Sequence, residues 1–259
     1  GSLSAWIGII RLIYLLDIFW LCLLILLLRN IKLKDNRKLH KEIKGKEIKS
    51  SLKNDLRLTK NWLRLLAPIL IISLIATAIL SLLQSALPID LVNGGLNRPS
   101  LSDAWSSGLI ALQLILLVII QWPVGKWVSN KTLKFGLNFS ISSLGIGCLL
   151  LGLSSFWDQG SLIILLAQFP LAFGLAAFLP TATEAIIQST PVYRQGLAMA
   201  LFSQCFAISA FITPIISGRL LDTQGNGLIL WFVFSILCFL SSLFLCRLKT
   251  LERKESLTI

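Results

Sequence analysis

Residues 121–136 read QWPVGKWVSNKTLKFG, a short polar stretch between the two apolar runs that decide the fold. The first run extends from Trp105 to Val124, and the second extends from Leu133 to Phe156. The gap between them holds three lysines, Lys126, Lys131 and Lys134. A helix needs about 20 apolar residues to cross the hydrocarbon core of a bilayer, which is roughly 30 Å thick. The stretch is therefore predicted to be a turn between two membrane-spanning helices.

The composition of the whole chain agrees with a membrane protein. Only 14% of the 259 residues are charged and 55% are hydrophobic, whereas soluble domains carry about 25% charged residues. Seven apolar runs are long enough to span a bilayer: Ala5–Leu28, Leu63–Ala86, Trp105–Val124, Leu133–Phe156, Ser161–Ile187, Gly196–Gly218 and Leu228–Cys246. Lipid offers no hydrogen-bond partner to the backbone, so each run should be helical. The predicted fold is all-α and polytopic, with seven transmembrane helices.

The cations are confined to alternate connections between these runs. Of the 24 lysines and arginines, 21 lie in or at the edges of segments 29–62, 125–132, 188–195 and 247–259. The other connections, 87–104, 157–160 and 219–227, hold only Arg98 and Arg219, against the four aspartates Asp90, Asp103, Asp158 and Asp222. Cytoplasmic loops of membrane proteins are rich in Lys and Arg. The lysine-rich side is therefore predicted to be cytoplasmic, which puts the N-terminus outside and the C-terminus inside.

The net charge of +12 does not indicate a nucleic-acid partner. Thirteen of the cations lie between Arg29 and Arg64, and no platform of aromatic residues that could stack on bases accompanies them. This segment is predicted to be a linker that touches the anionic headgroups of the lipid bilayer. The sequence also lacks the spacing of a catalytic triad, a zinc site or a phosphate-binding loop. No enzymatic activity, metal or cofactor is predicted.

Three stretches resemble motifs of the major facilitator superfamily. Residues 190–198, TPVYRQGLA, are similar to P-x-x-x-R-G-x-A in the turn between the family's tenth and eleventh helices, with Gln195 inserted before the glycine. Residues 213–222, TPIISGRLLD, resemble G-P-x-x-x-G-x-l-x-D at the end of its eleventh helix, with Thr213 at the first glycine. Residues 125–134, GKWVSNKTLK, retain the first glycine and the last lysine of the family's G-x-L-a-D-r-x-G-r-k turn.

The resemblance implies an order of domains along the whole chain. Residues 1–28 would be the last helix of an N-terminal half, and residues 29–62 the basic cytoplasmic linker. Residues 63–246 would be the six-helix C-terminal half, followed by a cytoplasmic tail at 247–259. Because the chain begins at Gly1 and its one methionine is Met199, we expect either a fragment or a chain that was cut near its N-terminus.

The function that the resemblance implies is secondary transport in the plasma (inner) membrane. The chain would be part of a transporter that moves a small, amphiphilic solute by alternating access, in one version as proton-coupled efflux. Its partners would be the missing N-terminal half, the bilayer and the small-molecule substrate. The alternative is a non-transporting scaffold, assembly factor or pigment-binding protein of the same fold.

The resemblance also selects candidate residues for the transport cavity. The family lines its cavity with the helices that correspond to the second, third, fifth and sixth runs of this chain. Polar and aromatic side chains on these runs are the cavity candidates: Thr77, Ser81, Gln113, Gln168, Phe169, Phe173 and Gln204. The alternative role for the polar members is hydrogen bonding between helices, worth about 0.6 kcal/mol each.

Charged residues add a candidate gate and a candidate coupling group. Glu184 and Gln188 lie one helical turn apart, and with Lys126 and Arg194 on nearby turns they are predicted to form a cytoplasmic gate network. The alternative is a set of solvated charges with no gating role. Asp17 is the only acid deep within a run, where a charge is costly. It is either a coupling carboxylate or is paired with helices outside this chain.

Overall fold

The computed structural model describes residues 19, 22, 23, 37–191 and 194–247. The chain divides into two compact units, Gly1–Leu58 and Thr59–Ile259. The first predicted span, Ala5–Leu28, lies outside the described residues except for three helical positions, and so does Asp17. Phe19 and Cys22 are exposed. The spans described below belong to the second unit.

The described part of the chain consists of helices and the short connections between them, and it contains no strand. Its helices are α1 (Arg37–Asn93), α2 (Asp103–Ser129), α3 (Leu133–Leu153), α4 (Gly160–Ser189), α5 (Gln195–Gln224) and α6 (Leu228–Arg247), with a 3-10 turn at Ser154–Phe156. Each helix contains a stretch that is long and apolar enough to cross a membrane. The prediction of an all-α polytopic membrane protein is therefore confirmed, and six of the seven predicted spans are seen in the described residues.

The sequence prediction was wrong about the connection 87–104. Helix α1 continues through Pro88 to Asn93, and α2 begins at Asp103, so the connection is only 94–102. The predicted span ended with the apolar run at Ala86, two residues before Pro88. A proline inside a helix removes one hydrogen bond and clashes with the preceding turn. In a membrane, opening the helix would expose further backbone groups to lipid, which costs more than one lost bond. At its other end, α1 begins at Arg37, within the segment predicted to be a linker.

The turn at the quoted stretch 121–136 is held by a cap and by aromatic packing. The Thr132 hydroxyl accepts a hydrogen bond from the Phe135 amide at 3.3 Å, which caps the start of α3. The Trp127 ring lies edge-on to the rings of Phe135 and Phe139, with centroid distances of 5.6 and 5.2 Å. Side chains at the end of α2 and the start of α3 therefore fix the hairpin locally.

Helices α3 and α4 pack along a seam of small residues. A Cβ on Gly147 would lie 2.5 Å from Leu171 Cγ, and a Cβ on Gly174 would lie 2.7 Å from Leu144 Cγ. Each of these leucines thus occupies the space above a glycine of the other helix. Ser140 Oγ also donates to the Gly174 carbonyl at 2.8 Å. Close packing of small residues, with hydroxyl bonds across the contact, is the usual way in which helices associate in lipid.

Candidate functional site

Two of the four helices assigned to the cavity have the most open faces in the structure. Only 17% of the apolar stretch of α2 and 22% of that of α5 is buried, against 56% for α3 and α4. The exposed side chains are mainly large and apolar, and they include Val118 and Trp122 on α2 and Phe211 and Ile216 on α5. Apolar surface of this extent is typical of a face covered by lipid or by another protein segment.

Gln113 of α2 is the best-defined polar feature among the cavity candidates. Its side chain is 5% exposed, and neither Oε1 nor Nε2 has a hydrogen-bond partner among the residues that the structure describes. It lines a cavity between α1, α2 and α4 together with Gln84 and with apolar side chains, mostly leucines such as Leu83 and Leu175. The cavity has a volume of about 20 Å³, which is room for about one water molecule. The amide is thus a polar group in an apolar wall, and it can still donate and accept hydrogen bonds.

The other six cavity candidates do not line this cavity. Gln168 is fully buried on α4; its Nε2 donates to the Ile164 carbonyl at 3.2 Å, and none of the described residues pairs with its Oε1. Phe169 and Phe173 lie exposed on α4, one turn apart, and Gln204 is exposed on α5. Ser81 is partly buried on α1. The structure therefore distributes the candidates over α1, α2, α4 and α5 without enclosing them in one site.

Thr77 makes contacts of a different kind. Its hydroxyl lies 2.8 Å from the Ser209 hydroxyl of α5 and also reaches the Ser73 and Cys205 carbonyls, at 2.8 and 3.3 Å. Ser209 Oγ in turn donates to the Leu74 carbonyl at 3.2 Å. The Thr77 side chain is 3% exposed. This geometry fits the alternative role of a hydrogen bond between helices, here between α1 and α5.

The four gate candidates are only partly joined by contacts that the structure defines. Gln188 Nε2 donates to Glu184 Oε1 at 3.0 Å, across one turn of α4. The Lys126 ammonium lies 5.7 Å from the centroid of the Trp122 ring on its own helix, within cation–π distance. The Arg194 amide donates to the Pro191 carbonyl at 2.8 Å at the start of α5. The predicted i,i+4 pair is present, and the wider network stays a prediction.

The structure contains a buried ion pair that the sequence analysis missed. Asp90 and Arg98 are 1% and 3% exposed, and Arg98 Nη2 lies 3.4 Å from Asp90 Oδ2. The same carboxylate accepts hydrogen bonds from the Gly227 amide at 2.7 Å and from Trp231 Nε1 at 3.0 Å. Arg98 Nη1 donates to Ser154 Oγ at 2.8 Å.

This pair was missed because both residues were placed in a solvated loop. Once the helix was ended before Pro88, Asp90 became one of four aspartates on the cation-poor side. Two signals in the sequence could have found it. Asp90 is followed by Leu91 and Val92 in an otherwise apolar context, and Arg98 is one of only two cations at this end of the bundle. A rare cation close to an acid is a reason to test a pair.

Six helices that are each long and apolar enough to cross a membrane define a polytopic helical membrane protein. The comparison with known families agrees, because residues 69–258 match the Major Facilitator Superfamily. That match covers well over half of the chain, and the chain belongs to this family. The members of the family are transporters rather than enzymes.

Bacterial proteins named for drug resistance are among the relatives that match. The chain is 27% identical over 202 residues to the Multidrug resistance protein MdtG of Enterobacter lignolyticus (strain SCF1), covering 76% of this chain and 47% of the relative. It is 28% identical over 202 residues to the protein of the same name from Escherichia coli O1:K1 / APEC, covering 76% and 48%. The chain thus spans about half the length of these curated relatives. No solved structure matches it significantly.

Proposed function

We propose that this chain is the C-terminal part of a secondary transporter that exports small, amphiphilic solutes across the plasma (inner) membrane by alternating access. The observation that carries the proposal is the open apolar face of α2 and α5, two of the helices that the family resemblance assigns to the cavity. This face provides a large apolar wall with few polar groups. Such a wall suits lipophilic solutes better than sugars, which need many hydrogen-bonding partners.

Gln113 gives the proposed substrate a chemical requirement. Within the described part of the chain, its amide has both an unpaired donor and an unpaired acceptor in leucine-rich surroundings. A solute with an apolar body and one hydrogen-bonding group would satisfy it, because an unpaired buried amide costs about 1–3 kcal/mol. The names of the relatives, multidrug resistance proteins, support export of varied solutes.

The test uses the complete protein in a bacterial host without its own major efflux pumps. Ethidium, a lipophilic cation, serves as the probe, and its cellular accumulation is followed by fluorescence. Cells with the wild-type protein should accumulate less ethidium than control cells, and Gln113→Ala should remove most of this difference. Gln159→Ala, which truncates an exposed glutamine before α4, is the matched control and should export like the wild type. Unchanged accumulation of ethidium and of a neutral dye such as Nile red would contradict the export proposal.

The gate and the energy coupling are separate parts of the proposal. Glu184 with Gln188, together with Lys126 and Arg194, would close the cytoplasmic end in one conformation, since a few kcal/mol suffice to shift a two-state equilibrium. Glu184→Gln should then change the export rate while the melting temperature stays close to that of the wild type. If export is proton-coupled, a protonophore should abolish it, and Asp17→Asn should do so if Asp17 carries the proton. Export that survives the protonophore would contradict proton coupling alone.

A second candidate function is a non-transporting scaffold of the same fold. The observation that favours it is the small size of the Gln113 cavity, about 20 Å³, which the surrounding leucines nearly fill. A scaffold would show no change in dye accumulation when it is expressed. Its Gln113→Ala variant would also behave like the wild type in the cellular process that needs the scaffold.

A further inference from the structure

Three separate connections meet at the cation-poor end of the second unit. The connection 94–102 follows α1, the turn 154–159 joins α3 to α4, and the connection 225–227 joins α5 to α6. Each of them contacts the Asp90–Arg98 pair directly or lies beside it. The pair is therefore the common point of connections that are far apart in the sequence.

Hydrogen bonds join each connection to this point. The Gly227 amide donates to Asp90 Oδ1 at 2.7 Å, which ties in the connection before α6. Arg98 Nη1 donates to Ser154 Oγ at 2.8 Å, and the Asn97 amide donates to the Ser155 carbonyl at 3.0 Å, which ties in the turn after α3. Arg98 Nη2 also donates to the Asp90 carbonyl at 2.8 Å, so the arginine closes its own connection back onto α1.

The packing around the pair leaves no room for added atoms. A Cβ on Gly227 would lie 2.6 Å from Asp90 Cγ, and a Cβ on Gly160 would lie 3.1 Å from Arg98 Cδ and closer still to the Ser154 carbonyl oxygen. The Trp231 side chain of α6 is fully buried, and its Nε1 donates to the Asp90 carboxylate. Contacts of this tightness transmit a displacement of one connection to the other two.

We propose that Asp90 and Arg98 form a permanent clamp that makes these three connections one cooperative unit. The clamp fixes the cation-poor ends of α1, α3, α4 and α6 relative to one another. Helix α2 is joined to α1 at this end by other bonds, from the Leu101 amide just before it to the Leu91 carbonyl at 2.9 Å and from Ser106 Oγ to the Pro88 carbonyl at 3.4 Å. The inference does not depend on the proposed function.

The charges themselves supply the first test. Removing one member of a buried ion pair leaves the other charge without compensation, which is far more damaging than removing both. In the purified complete protein, Asp90→Asn should lower the melting temperature by about 10 °C. The melting temperature of the double variant, Asp90→Asn with Arg98→Met, should be no lower than that of Asp90→Asn alone. The exposed charges at the same end, Arg219 and Asp222, provide matched controls, and Arg219→Met and Asp222→Asn should each shift the melting temperature by less than about 2 °C.

Hydrogen exchange supplies the second test, first in the wild-type protein and then in one variant. In the wild-type protein, the amides of Gly95, Asn97 and Gly227 should exchange slowly and at a common rate, because they open together. Arg98→Met should speed exchange at all three, including Gly227, which Arg98 does not contact. Exchange at three independent rates in the wild type, or an effect of Arg98→Met confined to residues 94–102, would overturn the clamp. If the losses in melting temperature caused by the two substitutions were additive in the double variant, the ion pair could not be the basis of the clamp.

Discussion

Replacing Gln113 by leucine should make the protein more stable and less active. The two side chains are similar in size, so the substitution leaves the cavity walls in place. It removes an amide whose two polar atoms are buried without a partner. Burial of such a group costs about 1–3 kcal/mol, and chains of this size gain about 2–4 °C in melting temperature per kcal/mol. The melting temperature is therefore expected to rise by about 5 °C. The rise is smaller if a water molecule in the adjacent space pairs with the native amide.

The assay is thermal unfolding of the purified complete protein in detergent, followed by tryptophan fluorescence, beside the ethidium assay in cells. Gln159→Leu, at an exposed position outside the spans, should change the free energy of unfolding by less than about 0.5 kcal/mol. A gain in stability with a loss of export is the behaviour expected of a residue retained for binding. A lower melting temperature for Gln113→Leu would refute the reasoning, because it would mean that the native amide has a partner.

Two further predictions follow from the packing, and a third concerns transport by the chain alone. Gly147→Ala should lower the free energy of unfolding by about 1 kcal/mol, because the overpacking cost of about 1–3 kcal/mol exceeds a helix-propensity gain of about 1 kcal/mol. Gly108→Ala, with open space around it, should instead raise the free energy of unfolding, and equal shifts for the two variants would contradict close packing between α3 and α4. Thr77→Val and Ser209→Ala should show a coupling energy of about 0.6 kcal/mol in a double-mutant cycle of unfolding, whereas strict additivity would mean that their hydroxyls do not interact. The 259-residue chain alone, reconstituted in liposomes, should move no ethidium, and measurable transport would disprove its dependence on an N-terminal half.

The spans could be predicted because lipid imposes a length and a composition on any helix that crosses it. The run Leu133–Phe156 has the same bounds in the sequence prediction and in the structure, since a polar turn precedes it and tryptophan and aspartate follow it. The end of α1 could not be predicted from the apolar run, because the helix continues past Pro88 and the charged Asp90 to Asn93. The partners of Asp90 there, Gly227 and Trp231, are distant in the sequence.

Within the site, only contacts between residues close together in the sequence could be predicted. The Glu184–Gln188 pair follows from the spacing of two residues on one helix, and it is present. The bond from Trp231 to Asp90 joins residues 141 positions apart, and nothing in the spacing of either residue marks the other. The burial of Gln113 depends on how α1, α2 and α4 pack, which the composition of α2 alone does not determine. The sidedness of the bundle remains a prediction from the distribution of cations.

The seam between α3 and α4 constrains how this protein can change over evolutionary time. Leu171 fits over Gly147 and Leu144 fits over Gly174, so volume on one helix is matched by a lack of volume on the other. A larger side chain at one of these positions is tolerated only when the facing residue is replaced by a smaller one in the same lineage. Paired size exchange, rather than independent drift, should therefore be the record that these four positions leave among homologues.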